Sequence, residues 1–118
     1  MANTRQVGEL GERIAEWFLR LKGYDILRRN YRFAGREIDL LARKGPRLIA
    51  VEVKLRRGGR YGAAVEAVDQ RKLTRIRTAL CGAVRDGHES LEPQIDVVVI
   101  DLPEALDEMT VRHIEAVC

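Results

Sequence analysis

Cysteine, histidine and aromatic side chains are all scarce in this chain of 118 residues, which has two Cys, two His, one Trp, three Tyr and two Phe. Cys81 and Cys118 leave no disulfide framework to read, and both thiols are expected to be free. His88 and His113 stand apart, with no Cys or His at ligand spacing beside either, which argues against a zinc site. No apolar run approaches a membrane span and no signal-peptide pattern follows Met1, so the reducing cytoplasm is the expected compartment, with no membrane partner. The run Gly58-Gly59-Arg60-Tyr61-Gly62 is followed by no Gly-Lys-Ser/Thr and lacks the strand-to-helix glycine spacing, which excludes a P-loop and a dinucleotide fingerprint. It reads either as a segment carrying Arg60 and Tyr61 toward a substrate or as a plain connection. Repeats, low-complexity tracts and linkers are also missing, so residues 1–118 are expected to form a single domain.

Charge is plentiful and unevenly spread. Residues 1–53 carry 11 basic and 7 acidic groups, 54–77 carry 8 and 2, and 78–118 carry 2 and 9, within a net charge of +3. The middle segment is a concentrated positive patch, the electrostatic footprint expected of a surface that meets a polyanion. Tyr61 is the only aromatic residue near it, so base stacking and sequence-specific reading are unsupported.

The chain is organised around residues 35–57, GREIDLLARKGPRLIAVEVKLRR. Two apolar, β-branched runs flank the turn Lys44-Gly45-Pro46-Arg47, which predicts an antiparallel hairpin. With the turn centred between Gly45 and Pro46, residues whose numbers sum to 91 face each other. One face then pairs Ile38 with Val53, Leu40 with Val51 and Ala42 with Ile49, a continuous core surface. The other pairs Leu41 with Ala50, Asp39 with Glu52 and Glu37 with Lys54.

Directly opposed residues lie roughly 5 Å apart, and like charges placed there destabilise a sheet. Asp39 opposite Glu52 therefore calls for compensation. A hard cation such as Mg²⁺ supplies it, since such ions are held by one or two carboxylates plus waters and phosphate oxygens. Lys54, two residues beyond Glu52, points to the same side and is placed to meet a phosphate or an attacking water. The same four charges also fit an ordinary salt-bridged sheet face, although Leu41 and Ala50 suggest that this face is covered.

Around the hairpin, Thr4 can cap a helix with the apolar stripe Val7, Leu10, Ile14, Phe18 and Leu21, widened by Trp17 and ended by Gly23. A strand is expected over 24–31. A second helix should run from the N-cap Asp69 to Asp86 on a buried stripe of Leu73, Ile76, Leu80, Ala83 and Val84, its first half crowded with Gln70, Arg71, Lys72, Arg75 and Arg77. Residues 94–102 read as a buried strand and 110–117 as a final edge strand. Asp96 and Asp101 are read as structural or exposed rather than as metal ligands. The order of elements is mixed, α+β or α/β, with a sheet flanked by helices.

Asp39 with Glu52-x-Lys54 on a hairpin resembles the PD-(D/E)xK nuclease superfamily. More narrowly the chain resembles the YraN family of small bacterial proteins, through Gly11-Glu12, Gly23-Tyr24, Ile26-Leu27 and Arg29-Asn30-Tyr31-Arg32. The likeness continues through residues 37–42 (EIDLLA), Val51-Glu52-Val53-Lys54 with Arg56, Lys72 with Arg75-Ile76, and Asp96-Val97-Val98. This resemblance implies a restriction-endonuclease-like αβββαβ core, a central mixed sheet flanked by helices. It implies a site of Asp39, Glu52 and Lys54 using Mg²⁺ or Mn²⁺, with Glu12 of the first helix as a further metal ligand or else a surface carboxylate. It also brings Lys72 and Arg75 toward nucleic acid beside Arg56, Arg57 and Arg60, ranks DNA ahead of RNA as the partner, and carries over a homodimer.

Three functions follow from the residues. A metal-dependent phosphodiesterase uses the acids, the lysine and the basic patch together. A nucleic-acid-binding module on the same scaffold keeps the patch without effective chemistry. A protein-interaction domain would set the basic middle of one subunit against the acidic C-terminal third of another, and leaves the opposed carboxylates unexplained.

Overall fold

The computed structural model describes residues 4–57, 69–102 and 108–118. Helix α1 (Thr4–Leu21) is followed by strands β1 (Asp25–Phe33), β2 (Arg36–Lys44) and β3 (Arg47–Arg57), helix α2 (Gln70–Arg85), and strands β4 (Glu92–Leu102) and β5 (Thr110–Ile114). The sheet order is β1-β2-β3-β4-β5. The pairs β1–β2, β2–β3 and β4–β5 are antiparallel, whereas β3–β4 is parallel across the connection that contains α2. This is a mixed α/β architecture in the αβββαβ order, with β5 added at one edge.

Local chemistry accounts for the turns and helix ends. Ala34 and Gly35 both have positive φ (51° and 75°) between the paired Phe33 and Arg36, as a two-residue hairpin turn of right-handed strand twist requires. Asp69 caps α2, its carboxylate accepting the Lys72 N–H at 2.8 Å, and Gly87 at φ 101° lets the chain leave after the C-cap Asp86. The turn at Gly45-Pro46 sets the register that the numbering rule predicts: Leu40 pairs with Val51, Leu41 with Ala50 and Ala42 with Ile49.

Both faces of the sheet are covered. Leu41, Leu48, Ala50, Ile95, Val97 and Val99 pack under Ile76, Ala79, Leu80 and Ala83 of α2. Leu40, Ala42, Ile49, Val51, Val98 and Ile100 pack with Ala15 and Leu19 of α1. Strand β4 is accordingly buried almost throughout, like other strands covered on both sides.

Two sequence expectations need correction. Ile38 does not share a face with Leu40 and Ala42; it joins Leu41 and Tyr31 on the α2 side. The reversal falls at Asn30, whose φ of 51° is left-handed. Arg29 and its partner Leu40 look toward α1, while Tyr31 and its partner Ile38 look toward α2.

The second correction concerns α1. Its buried face is Gly11, Ala15 and Leu19, not the larger side chains, and Leu10, Trp17 and Leu21 are exposed. Small residues let the helix approach the sheet: a methyl group added at Gly11 would lie 3.6 Å from the Leu55 side chain, an ordinary contact distance. Leu10, Trp17 and Leu21 are left outside, while the half-buried Ile14 still packs against the core on this side.

Candidate functional site

Asp39 and Glu52 enter the site from adjacent strands, where the β2–β3 ladder has run from the turn to its last paired residues, Leu40 and Val51. Beyond that pair Asp39 Oδ2 accepts the Val53 backbone N–H at 2.9 Å, so the aspartate side chain serves as the acceptor for the neighbouring strand. Glu52 is 5% exposed. Burial raises the Asp39 carboxyl to about 7, with the adjacent Glu52 carboxylate adding to the shift and the Val53 N–H opposing it. The two acids face the same space, and Asp39 is disfavoured there as an anion.

The lysine on this pair comes from α2. Lys72 Nζ lies 2.7 Å from Glu52 Oε1. Burial works against the Lys72 ammonium, but its bond to Glu52 and the charges of Glu52, Asp39 and Asp69 leave its pKa raised. Lys54 is half-buried, and among the described residues its side chain makes no hydrogen bond or ion pair. It sits about 6.6 Å further along β3 than Glu52.

Glu12 approaches from α1. Its carboxyl is raised by partial burial and then by the charges of Asp39, Glu37 and Glu9. The helix is anchored there by Glu16, one turn later, whose carboxylate takes the Arg29 guanidinium of β1 (Nη2 to Oε2, 2.9 Å) and Arg20 Nε at 3.0 Å. The bond to Arg29 is the first cause of a lowered Glu16 pKa. With its amide nitrogen turned toward the acids, Asn30 donates to Glu12 Oε1 at 3.1 Å and to Glu37 Oε1 at 2.8 Å, clipping helix and hairpin together. The sequence contained one signal for Asn30: asparagine tolerates left-handed φ and interrupts an otherwise basic strand.

Glu37 borders a cavity of about 510 Å³ whose basic wall is Arg36, Arg71, Lys72 and Arg75. A smaller hollow of about 190 Å³ beside α1 is lined by Glu12, Arg13, Arg29 and Asn30, among others. Asp39 thus lies within reach of the charges of Glu12, Glu52 and Lys72, while Arg75 lines the larger cavity beside Lys72. Arg56 follows on β3 opposite Asp101 of β4, and Arg57 closes that strand. Arg60 and Tyr61 lie outside the described residues.

A second polar cluster lies on the α1 side of β4. Asp96 is fully buried and accepts four hydrogen bonds: from Tyr24 Oη at 2.9 Å, His113 Nε2 at 2.8 Å, Gln94 Nε2 at 2.8 Å and the Ala116 N–H at 2.9 Å. Lys22 Nζ lies 2.7 Å from His113 Nδ1. An ammonium can only donate, so Nδ1 accepts and Nε2 carries the proton given to Asp96. Burial alone would raise the Asp96 carboxyl, yet these bonds hold it below the ordinary aspartate range.

Asp96, His113 and Glu115 are, among the described residues, the one trio whose ligand atoms all lie within 4.8 Å of one another. His113 was not isolated as the sequence suggested. Both Asp96 oxygens are already taken by donors, so the cluster reads as a structural tie between β4, the start of β1 and the C-terminal segment. Asp101 is likewise buried rather than exposed, and one of its oxygens meets Arg112 Nη2 at 3.0 Å. Cys81 and Cys118 are both free and exposed. Among the described residues no helix is long and apolar enough to cross a membrane.

Comparison with known proteins agrees with the collinear resemblance. A UPF0102 protein of Symbiobacterium thermophilum is 46% identical over 99 residues, covering 83% of this chain and 84% of the relative. One from Kineococcus radiotolerans is 40% identical over 114 residues (94% and 92%), and one from Renibacterium salmoninarum 38% over 115 (97% of each). The profile described as "Uncharacterised protein family UPF0102" matches residues 11–100, which take in the second half of α1, the hairpin, α2 and most of β4, and the chain belongs to that family, the YraN family.

Proposed function

We propose that this protein is a metal-dependent nuclease-type phosphodiesterase acting on nucleic acid, with DNA ranked ahead of RNA. The observation that carries this reading is the Asp39–Glu52 pair, a half-buried and a buried carboxyl close enough to interact, with Asp39 raised to about 7. With the Lys72 ammonium bonded to Glu52 and Asp39 left with a raised pKa, the pair is suited to a hard divalent ion, and its all-oxygen donor set matches Mg²⁺ or Mn²⁺. Asp39 and Glu52 would hold the ion directly. Among the described residues Glu12 does not bring a third ligand atom within 4.8 Å of both, so it would act through a bound water. Such an ion lowers the pKa of a bound water and polarises a phosphoryl oxygen.

The chain's own residues supply the rest. Lys54 would orient the attacking water or meet charge developing on the phosphate. Asn30 holds Glu12 and Glu37 in place. Lys72, Arg75 and Arg56, with Arg57 and Arg60, would grip the backbone, through contacts that read charge rather than base sequence.

One observation favours a second reading, a binding module without effective catalysis: the Lys72 ammonium already offsets Glu52. Duplex, branched and single-stranded DNA and RNA incubated with Mg²⁺, Mn²⁺ or chelator separate the two. The nuclease reading expects metal-dependent cutting that Glu52→Gln and Lys54→Ala each reduce by about 10²-fold or more. Salt-sensitive binding with no cutting under any metal would leave the binding module.

A further inference from the structure

The cavity of about 510 Å³ beside Glu37 gathers more positive charge than its own acids neutralise. Its basic walls come from two elements distant in the chain: Arg36 from the start of β2, and Arg71, Lys72 and Arg75 from the first half of α2. The three α2 cations span about 100° around the helix axis, so they share one face. Arg20, Arg29 and Arg112 each meet a carboxylate elsewhere in the fold, but among the described residues the side chains of Arg71 and Arg75 meet none. Arg36 donates to the Ala34 carbonyl at 2.9 Å and is not neutralised by it.

The acids that line the cavity are engaged elsewhere. Asp69 Oδ1 accepts the Lys72 N–H as the cap of α2, and Glu37 takes the Asn30 amide and lies 3.5 Å from Arg32 Nη2. The guanidinium groups are what remains to meet an anion.

Shape narrows the kind of anion. Ile76, which also lines the cavity, is 2% exposed, so the space ends on the core. An internal phosphodiester carries one charge and must leave its site in two directions, which asks for an open groove. A phosphomonoester carries about 1.5 to 2 negative charges near neutral pH, offers three acceptor oxygens and terminates its chain. Arginine forks meet such oxygens two at a time. The volume falls within the roughly 300–1,000 Å³ of small-ligand sites, so a nucleotide can enter behind its phosphate.

We propose that this cavity binds a phosphomonoester, the terminal phosphate of a nucleic-acid strand or of a free nucleotide, through Arg36, Arg71 and Arg75. The strand-end form rests on the nuclease reading above. Lys72 lines the cavity and bonds Glu52, so a strand end held here begins beside the acidic pair.

The test is binding in chelator, which keeps cutting out of the readout. Fluorescein-labelled single strands with a phosphate at one end, at the other end or at neither are titrated by anisotropy, with AMP and inorganic phosphate as competitors. One of the phosphorylated strands should bind about ten-fold tighter than the hydroxyl-ended strand, and AMP should displace it. Arg36→Gln and Arg71→Gln, both at exposed positions, should each shrink that ratio several-fold. Should either variant fail to fold, AMP competition on the natural protein decides the matter. Saturable AMP binding with no strand binding would uphold the cavity as a nucleotide site and count against the nuclease reading. Strand binding that ignores the end phosphate and resists AMP would overturn the inference while leaving that reading in place. An equal loss on all three strands in both variants would also overturn it, since the arginines would then respond to charge in general.

Discussion

Asp39 and Asp96 are the same residue type in the same sheet, the first half-buried and the second fully buried, and they shift in opposite directions. Asp96 meets four donors on its two oxygens, and its carboxyl falls below the ordinary range. Asp39 meets one backbone N–H and a second carboxylate, and rises to about 7. Burial penalises both anions; what differs is whether the protein supplies the compensation itself. At Asp96 it does, and the result is structure. At Asp39 the cation that acts on it, among the described residues, is half-exposed Lys72, bonded to the other acid, and the unmet demand is what a function can use.

The largest effect should come from removing the satisfied acid. Asp96→Asn turns an amide N–H₂ toward groups that donate, and should lower stability by about 3 kcal/mol in urea unfolding at neutral pH. An unchanged midpoint would mean the four bonds at Asp96 contribute little, and the comparison would fail on that side.

The matching substitution at the unsatisfied acid should have the opposite sign. A folded-state pKa of about 7 against an ordinary 3.8 means the folded protein holds a proton that the unfolded chain has lost, so Asp39 makes stability fall as pH rises through that interval. Asp39→Asn should therefore be more stable than the natural protein by roughly 2 kcal/mol above pH ~7, the difference fading toward pH ~4. Thermal melts at several pH values would read it. A destabilised variant at pH ~8 would contradict the shift.

A divalent ion should act in the same direction. Mn²⁺ at 100-fold its dissociation constant should stabilise the natural protein by about 2.7 kcal/mol, and Glu52→Gln much less. Melting temperatures with and without the ion would show it. The smallest expected effect is at Asn30: Asn30→Ala frees Glu12 and Glu37 from their shared donor, at a stability loss of about 1 kcal/mol, and should weaken ion binding more than it weakens the fold.

The hairpin and its acids were legible because everything that places them is local. A two-residue reversal at Gly45-Pro46 fixes the register as far as Leu40 and Val51, and Asp39 and Glu52 follow directly beyond that last pair. What lay beyond local pattern was not legible. Lys72 rather than Lys54 meets Glu52 because α2 packs across the hairpin, a long-range fact. Tyr24 and His113 reach Asp96 from 72 and 17 residues away in the chain, and no spacing rule links them. On α1 the apolar residues cover more than one face, and size misled: the sheet takes Gly11, Ala15 and Leu19, which permit close approach, and leaves Trp17 and Leu21 outside. Asn30 reverses the side-chain alternation in β1 and β2 through its own backbone, which periodicity does not register.

The most direct test of the unmet demand at Asp39 is calorimetric titration of Mn²⁺ into the protein near pH ~6, repeated in buffers of different ionisation enthalpy. The account predicts one ion bound per chain with close to one proton released, both lost in Glu52→Gln. Binding without proton release, or binding that survives that substitution, would contradict it.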